Sequence, residues 1–254
     1  MPAWTNGTIL SAHLMTDLNC DLGEGEPLAR TRALMRSVAS VNVACGGHAG
    51  NGQTMEQCVR LALQFKVRLG AHPGAWSRAD RGRGPVSMSE GELELLLLQQ
   101  IGALQRVAIR HGRRLHHIKL HGSLYHATET DRRLGTCYLR TVRRYWPDLL
   151  LYVRAGGFLA KRASRFGVGV WEEAFADRAY QADGQLVPRC EPHALLVDPA
   201  RVEARLRTWS QSREIIALDG TPLVLSARTF CIHSDTPNAV ALARLAARWL
   251  RRKS

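Results

Sequence analysis

One pattern recurs seven times along this chain and limits its fold more than any other feature. A short apolar, β-branched run ends in a polar or glycine-rich cluster, and a helix-length amphipathic segment follows. The run before Asp17 leads into DLNCDLGEGE. Residues 40–45 lead into GGHAGNG and a helix over 53–65, and residues 67–70 into AHPGAW and a long helix over 89–110. Residues 115–120 lead into HGSLYH and a helix over 131–145. Residues 149–153 end in RAGG, residues 167–171 in EEAFADRAY, and residues 229–232 in HSDTPNA, which opens a terminal helix to Leu250.

Strands alternating with helices specify a parallel sheet covered by helices. Seven such units in 254 residues favour a closed α/β barrel over an open doubly wound sheet. The GxGxxG that a dinucleotide-binding sheet would carry after its first strand is absent. In a barrel the chemistry gathers at the C-terminal strand ends, and that is where the His, Asp and Glu residues fall. No linker or low-complexity stretch divides the chain, so residues 15–254 read as one domain. Residues 1–14 read as a loose extension, with Met15 as an alternative start.

The charge balance admits several classes of partner. Lys plus Arg is 35 against 22 acidic residues, a net +13, and only four of the 35 are lysines. The arginines are scattered over helix-like segments, and no aromatic-interleaved basic patch or zinc finger accompanies them. A solvated arginine-rich surface is therefore expected rather than nucleic-acid binding. No apolar run reaches the roughly 18–20 residues of a membrane span. The six cysteines show neither a CxxC pair nor zinc-ligand spacing, and the N-terminus has no signal-peptide pattern. A reduced, cytoplasmic protein is the expectation.

Asp17, Asn19 and Asp21 share one face of a strand by the two-residue period, with Leu18, Cys20 and Leu22 on the other. Two carboxylates and an amide at a strand end suit a metal, a general base or an ammonium partner. Glu24 follows in a glycine-flanked turn. His48 sits among glycines and His72 closes the next strand. Asp21, His48 and His72 form a set chemically able to hold a divalent ion. The same alternation aligns His117, Lys119 and His121. A lysine inside an apolar strand is costly unless paired or working, so Lys119 is expected to bind a carboxylate, to stabilise a developing oxyanion, or to pair with Asp17 or Asp21. In WEEAFADRAY, one carboxylate of Glu172, Glu173 and Asp177 offers an acid or base and Arg178 a bidentate anion contact, with a structural Asp-Arg or Glu-Arg pair as the equal alternative. Asp235, ahead of Thr236-Pro237, reads as a helix cap, and the role of His233 stays open. There is no phosphate loop, nucleophile elbow or HExxH.

Six of these strings, in order, resemble the LamB/YcsF family: DLNCDLGEGE (17–26), NVACGGHAGNG (42–52), GAHPG (70–74), IKLHGSLY (118–125), EEAFADRAYQADGQLVPR (172–189) and CIHSDTPNA (231–239). The resemblance implies a seven-stranded (β/α) TIM-like barrel of the glycoside hydrolase/deacetylase type. It implies the A subunit of an ATP-dependent 5-oxoprolinase, which opens the lactam of 5-oxo-L-proline to L-glutamate with subunits B and C. ATP would be a co-substrate, and a homo-oligomer stays open. On this footing the expected catalytic residues are Asp17, Asp21, His48, His72, Lys119 and His121. The expected substrate-binding residues are Asn19, Glu24, Asn42, Glu173, Arg178 and His233.

The chain departs from the family pattern around these residues. Gly47 replaces a usual Phe, Asn51-Gly52 an Asp-Pro, Leu120 a Pro, His126 an Asn and Ser234 a Gly, and residues 79–85 form a degenerate loop. Two further readings remain. One is a metal-dependent, deacetylase-like amide hydrolase that works without ATP. The other is a non-catalytic basic binding protein.

Overall fold

The computed structural model describes residues 16–251, so the expectations for residues 1–14 and for Met15 lie outside the described residues. Strand β1 (Asp17–Leu22) is followed by α1 (Leu28–Met35), β2 (Ser40–Ala44), α2 (Gly52–Gln64), β3 (Arg68–His72) and α3 (Glu90–Arg110). Next come β4 (His117–Ile118), α4 (Gly122–Thr130), α5 (Arg132–Tyr145), β5 (Leu150–Arg154), α6 (Phe158–Arg162) and β6 (Val170–Phe175). The chain ends through α7 (Pro199–Ser212), β7 (Glu214–Ile216), β8 (Pro222–Val224), β9 (Thr229–His233) and α8 (Ala239–Arg251). Seven parallel strands close into a barrel in the order β1-β2-β3-β4-β5-β6-β9. The antiparallel β7–β8 pair stands apart as its own two-stranded sheet.

Local chemistry places the helix starts. Asn51 and Ser89 each close a capping box, at the heads of α2 and α3. Asp131 caps α5, and Asp198 caps α7 just before Pro199. Each cap satisfies backbone N–H groups that the first helical turn leaves without partners. Asn51, where the family pattern has Asp, supplies the same kind of side-chain acceptor.

The two faces of β1 separate cleanly. Leu18, Cys20 and Leu22 join the apolar core together with Val41, Val43, Leu69, Ile118 and Ile232. Asp17, Asn19 and Asp21 are equally buried but meet polar side chains of other strands inside the barrel. Large apolar side chains commonly fill such a barrel interior; here hydrogen-bonded polar groups fill much of it.

Two expectations need correction. The sequence pattern places the fourth strand over 115–120, but its ladder covers only His117 and Ile118. The chain nevertheless stays extended alongside β3, because Lys119 N–H donates to Ala71 O (2.9 Å) and His121 N–H to Pro73 O (2.8 Å). Asp235 does not cap α8, which begins four residues later at Ala239; its carboxylate pairs with Arg83 and Arg189 instead. Helices α1 and α4 and the β7–β8 hairpin carry no clear signal in the seven-unit pattern. Among the described residues no helix is long and apolar enough to cross a membrane.

Candidate active site

The barrel interior is built in tiers. At the N-terminal end of β1, Asp17 accepts hydrogen bonds from Ser40 (2.7 Å) and Thr229 (2.6 Å) and pairs with Arg68 at 2.7 Å. One tier up, the Asn19 amide donates to Glu173 Oε1 (2.8 Å), and the Asn42 amide donates to Asn19 Oδ1 and to Asp21 Oδ1, both at 2.7 Å. His117 Nε2 donates to Asn42 Oδ1 at 2.6 Å, which leaves the Asn42 amide only one orientation. The ring of His117 lies where a side chain on Gly70 would stand, so that position must be glycine.

Lys119 crowns this stack. Its ammonium lies 3.0 Å from Asp21 Oδ1, 3.0 Å from Glu173 Oε1 and 3.0 Å from Cys231 Sγ. Burial opposes the charges here, and their neighbours decide the outcome. For Lys119, Asp21 with Cys231 and Glu173 overcomes the desolvation and holds the ammonium well above its ordinary range. Against the same cost, His72 and Lys119 hold the Asp21 carboxyl well below the usual carboxylate range. Glu173 goes the other way: burial pushes it up despite Lys119. The arrangement is one firm ion pair, Lys119–Asp21, with a carboxyl beside it that gives up its proton less readily.

The second cluster sits beside Asp21. Glu24 Oε1 lies 3.1 Å from His48 Nε2, 3.5 Å from His72 Nε2 and 3.1 Å from His121 Nδ1. His72 Nδ1 donates to the Lys119 carbonyl (2.8 Å), and His121 Nε2 donates to the Arg81 carbonyl (2.8 Å). In its neutral form each ring would turn an unprotonated nitrogen toward Glu24; against its burial, Asp21 and then Glu24 push the His72 imidazole up, which favours a proton on it. His48 stacks flat on His121 with centroids 3.6 Å apart. Burial, together with the other two rings, lowers the His48 imidazole to about 4 despite its contact with Glu24.

One oxygen and three imidazole nitrogens, all within 4.8 Å of one another, make a donor set that suits a divalent cation. The two backbone carbonyls hold His72 and His121 in the tautomers a metal ligand needs. Of the expected Asp21, His48 and His72, the two histidines belong to this set with Glu24 and His121, while Asp21 gives Oδ1 to Lys119 and turns Oδ2 to His72 Nε2 at 3.4 Å, at the edge of the cluster.

A cavity of about 480 Å³ opens over these groups, its wall including Asp21, His72, Lys119, His121, Tyr125, Phe175, Arg178 and His233. Of the expected residues, Asp21, His72, Lys119, His121, Arg178 and His233 therefore face one space. Asp17 does not; it sits at the far end of the barrel in a structural pair with Arg68. Asn19, Asn42 and Glu173 lie beneath the cavity and orient Asp21 and Lys119 rather than lining it. His48 stands behind His121 and reaches the cavity only through it.

Several participants were not among the expected site residues, although Cys231, Asp177 and Arg189 lie within the quoted strings. Cys231 contacts Lys119, and Asp177 holds His233 through Nδ1 at 3.0 Å. Arg83 and Arg189 form the cavity rim with Asp235. Cys231 was legible in principle, since the period of β9 puts it on the face of His233. Arg83 was not, because it lies in an irregular loop.

A closed parallel barrel with a buried lysine, a histidine–glutamate cluster and a cavity at its C-terminal strand ends defines an enzyme-type α/β barrel. The chain belongs to the LamB/YcsF family, whose model matches residues 16–254. It is 40% identical over 231 residues to the A subunit of 5-oxoprolinase from Bordetella pertussis, covering 90% of this chain and 92% of that one. The corresponding 5-oxoprolinase subunit from Nitrobacter winogradskyi is also 40% identical, over 232 residues, with 90% and 91% covered. The crystal structure of the lactam utilization protein from Thermus thermophilus superposes with a TM-score of 0.85 at 35% identity, covering 93% of this chain and 96% of that one.

Proposed function

We propose that this chain hydrolyses the cyclic amide of 5-oxo-L-proline to L-glutamate, as the A subunit of an ATP-dependent 5-oxoprolinase working with subunits B and C. The observation that carries this reading is the juxtaposition on one cavity of Lys119 with His72 and His121, the two rings that Glu24 contacts from behind, in a chain so similar to known 5-oxoprolinase components.

The chemistry follows from what each group can do. A lactam resists water because its nitrogen donates into the carbonyl. Phosphorylation of the lactam oxygen by ATP would remove that donation and leave a carbon open to attack. Lys119, charged and fixed by Asp21, would donate to the substrate oxygen as negative charge develops there. With no metal in the cluster, His72 Nε2 and His121 Nδ1, 3.0 Å apart, would share the proton given up by the attacking water. The first water's oxygen bonds to the phosphorylated carbon, the C–N bond breaks with the ring nitrogen leaving as the protonated α-amine, and a second water hydrolyses the resulting γ-acyl phosphate to L-glutamate and inorganic phosphate.

Glu24, His48, His72 and His121 would hold a divalent cation. Such an ion would lower the pKa of water and polarise a carbonyl. The described cysteines are all free, five of them buried, which suits a reducing cytoplasm.

The test is glutamate release from 5-oxo-L-proline by the complex assembled with subunits B and C. Release that requires ATP and is abolished by His72→Ala supports the reading; full release by that variant overturns it. The histidine–glutamate cluster also favours a second reading, a metal-dependent amide hydrolase without ATP. Release from N-acetylated sugars by the chain alone, with added metal and no nucleotide, would establish that one.

A further inference from the structure

Three arginines line the cavity, and they are not equivalent. Asp235 serves two of them, lying 2.8 Å from Arg83 and 2.6 Å from Arg189. Arg178 has no carboxylate. Only 6% of it is exposed; its Nη2 donates to the Val187 carbonyl at 2.7 Å, and its buried Nε has no partner. The adjacent Asp177 is spent on the backbone and ring of His233 and on the hydroxyl of Thr236. Asp21, the acid of the cavity wall, is held by Lys119.

A buried guanidinium without an anion is costly, and such a cost persists where a ligand supplies the missing charge. Burial, and then repulsion from Arg189, already weakens Arg178's hold on its proton, to about 10. His126, on the same wall, is lowered to about 4 by burial and by Arg178 and Arg154, so it adds no positive charge of its own.

We infer that Arg178 is the carboxylate subsite of the cavity, the residue that selects lactams bearing a carboxylate over those without one. The planar fork of a guanidinium matches a carboxylate with two parallel hydrogen bonds. Leu186 and Phe175 supply apolar wall for the ring methylenes, and Lys119 stands ready for the lactam oxygen. Arg83 and Arg189, already paired, tie the rim together instead. The inference rests on the lactam reading of the cavity.

Calorimetric titration of the full chain with 5-oxo-L-proline and with its neutral carboxamide tests it. The acid should bind roughly ten- to a hundredfold more tightly than the amide, the range for one charge-assisted, buried contact. Arg178→Met should erase the difference by weakening the acid alone, and Arg178→Lys should retain part of it. Wild-type protein that binds both lactams equally overturns the subsite and leaves the lactam reading standing. Protein that binds neither overturns both. The wild-type comparison stands even if the buried substitutions fail to fold. A folded Arg178→Met variant that keeps the full preference assigns the carboxylate elsewhere and ends the proposal.

Discussion

Nε2 of His72 and Nδ1 of His121 stand 3.0 Å apart. Each ring's other nitrogen is committed to a backbone carbonyl, so in their neutral forms both facing nitrogens are acceptors. Two lone pairs at that distance repel unless a cation lies between them. The cation is either a metal shared with Glu24 and His48 or a proton shared by the two rings.

The first prediction separates these. Removing divalent ions with a chelator should lower the melting temperature and added zinc or manganese should restore it, because a ligand bound only by the folded state stabilises it. Glu24→Gln should weaken metal binding by about tenfold or more. Elemental analysis and thermal shift measure both effects. A melting temperature indifferent to chelator and metal would assign the cation as the proton.

Lys119 yields a second prediction, because its activity and its stability effects part company. Lys119→Met leaves Asp21 buried beside Glu173 without a cation, a loss of about 3 kcal/mol, and removes an oxyanion donor, a loss of about 10²–10³ in turnover. Adding Asp21→Asn should recover much of the stability, since the uncompensated charge goes, while turnover stays low. Denaturant unfolding and glutamate release read the two quantities separately. Recovery of turnover in the double variant would remove Lys119 from the chemistry.

Gly47, a departure from the family pattern, has a partner that explains it. Gln100, on α3 and only 1% exposed, accepts from Gly74 N–H (3.0 Å) and donates to Gly74 O (2.7 Å). A Cβ on Gly47 would collide with the Gln100 amide and with the Gly74 carbonyl. Gly47→Phe should therefore destabilise the chain by about 2 kcal/mol or more, and Gly47→Ala by less. Trimming the partner in Gly47→Phe/Gln100→Ala should recover part of the loss. Melting temperatures of the four proteins form the cycle, and additive effects would show that the two positions do not share this space.

These cases show what was legible in the sequence. The alternation of β1 shows in DLNCDL, because a strand's period of two is a local property. The barrel was legible for the same reason, from strand-like runs at helix-length spacing. The resemblance strings carried the residues Asp21, His72, Lys119 and His121 to one cavity. What local pattern cannot carry is the choice among partners distant in sequence. Asp21 sharing its two oxygens between Lys119, 98 residues away, and His72 depends on the barrel's closure, not on any local pattern. Gln100 looks like any polar residue of a long helix until α3 brings it to Gly74. Asp235 before Thr236-Pro237 imitates a helix start, but the Thr236 hydroxyl is taken by Asp177 at 2.6 Å and the turn runs on to Ala239.

Asp235 also sets a pH dependence. Burial works against its charge, but Arg189 and Arg83 hold the carboxyl down, from 3.8 to about 2. A carboxyl depressed in the folded state contributes stability that is complete above its unfolded pKa, near 4, and is lost as the pH falls toward 2. The side chain is 25% exposed, so solvent screening leaves on the order of 1 kcal/mol. Asp235 joins Arg83, in the loop after β3, to Arg189, in the loop after β6, and both arginines line the cavity. Asp235→Asn should thus lower the melting temperature at pH 7, and the gap to wild type should close between pH 4 and pH 2. It should also raise the KM for the lactam, because the rim that carries Arg189 loosens. A gap that stays constant down to pH 2 would mean that Asp235 contributes by shape rather than by charge.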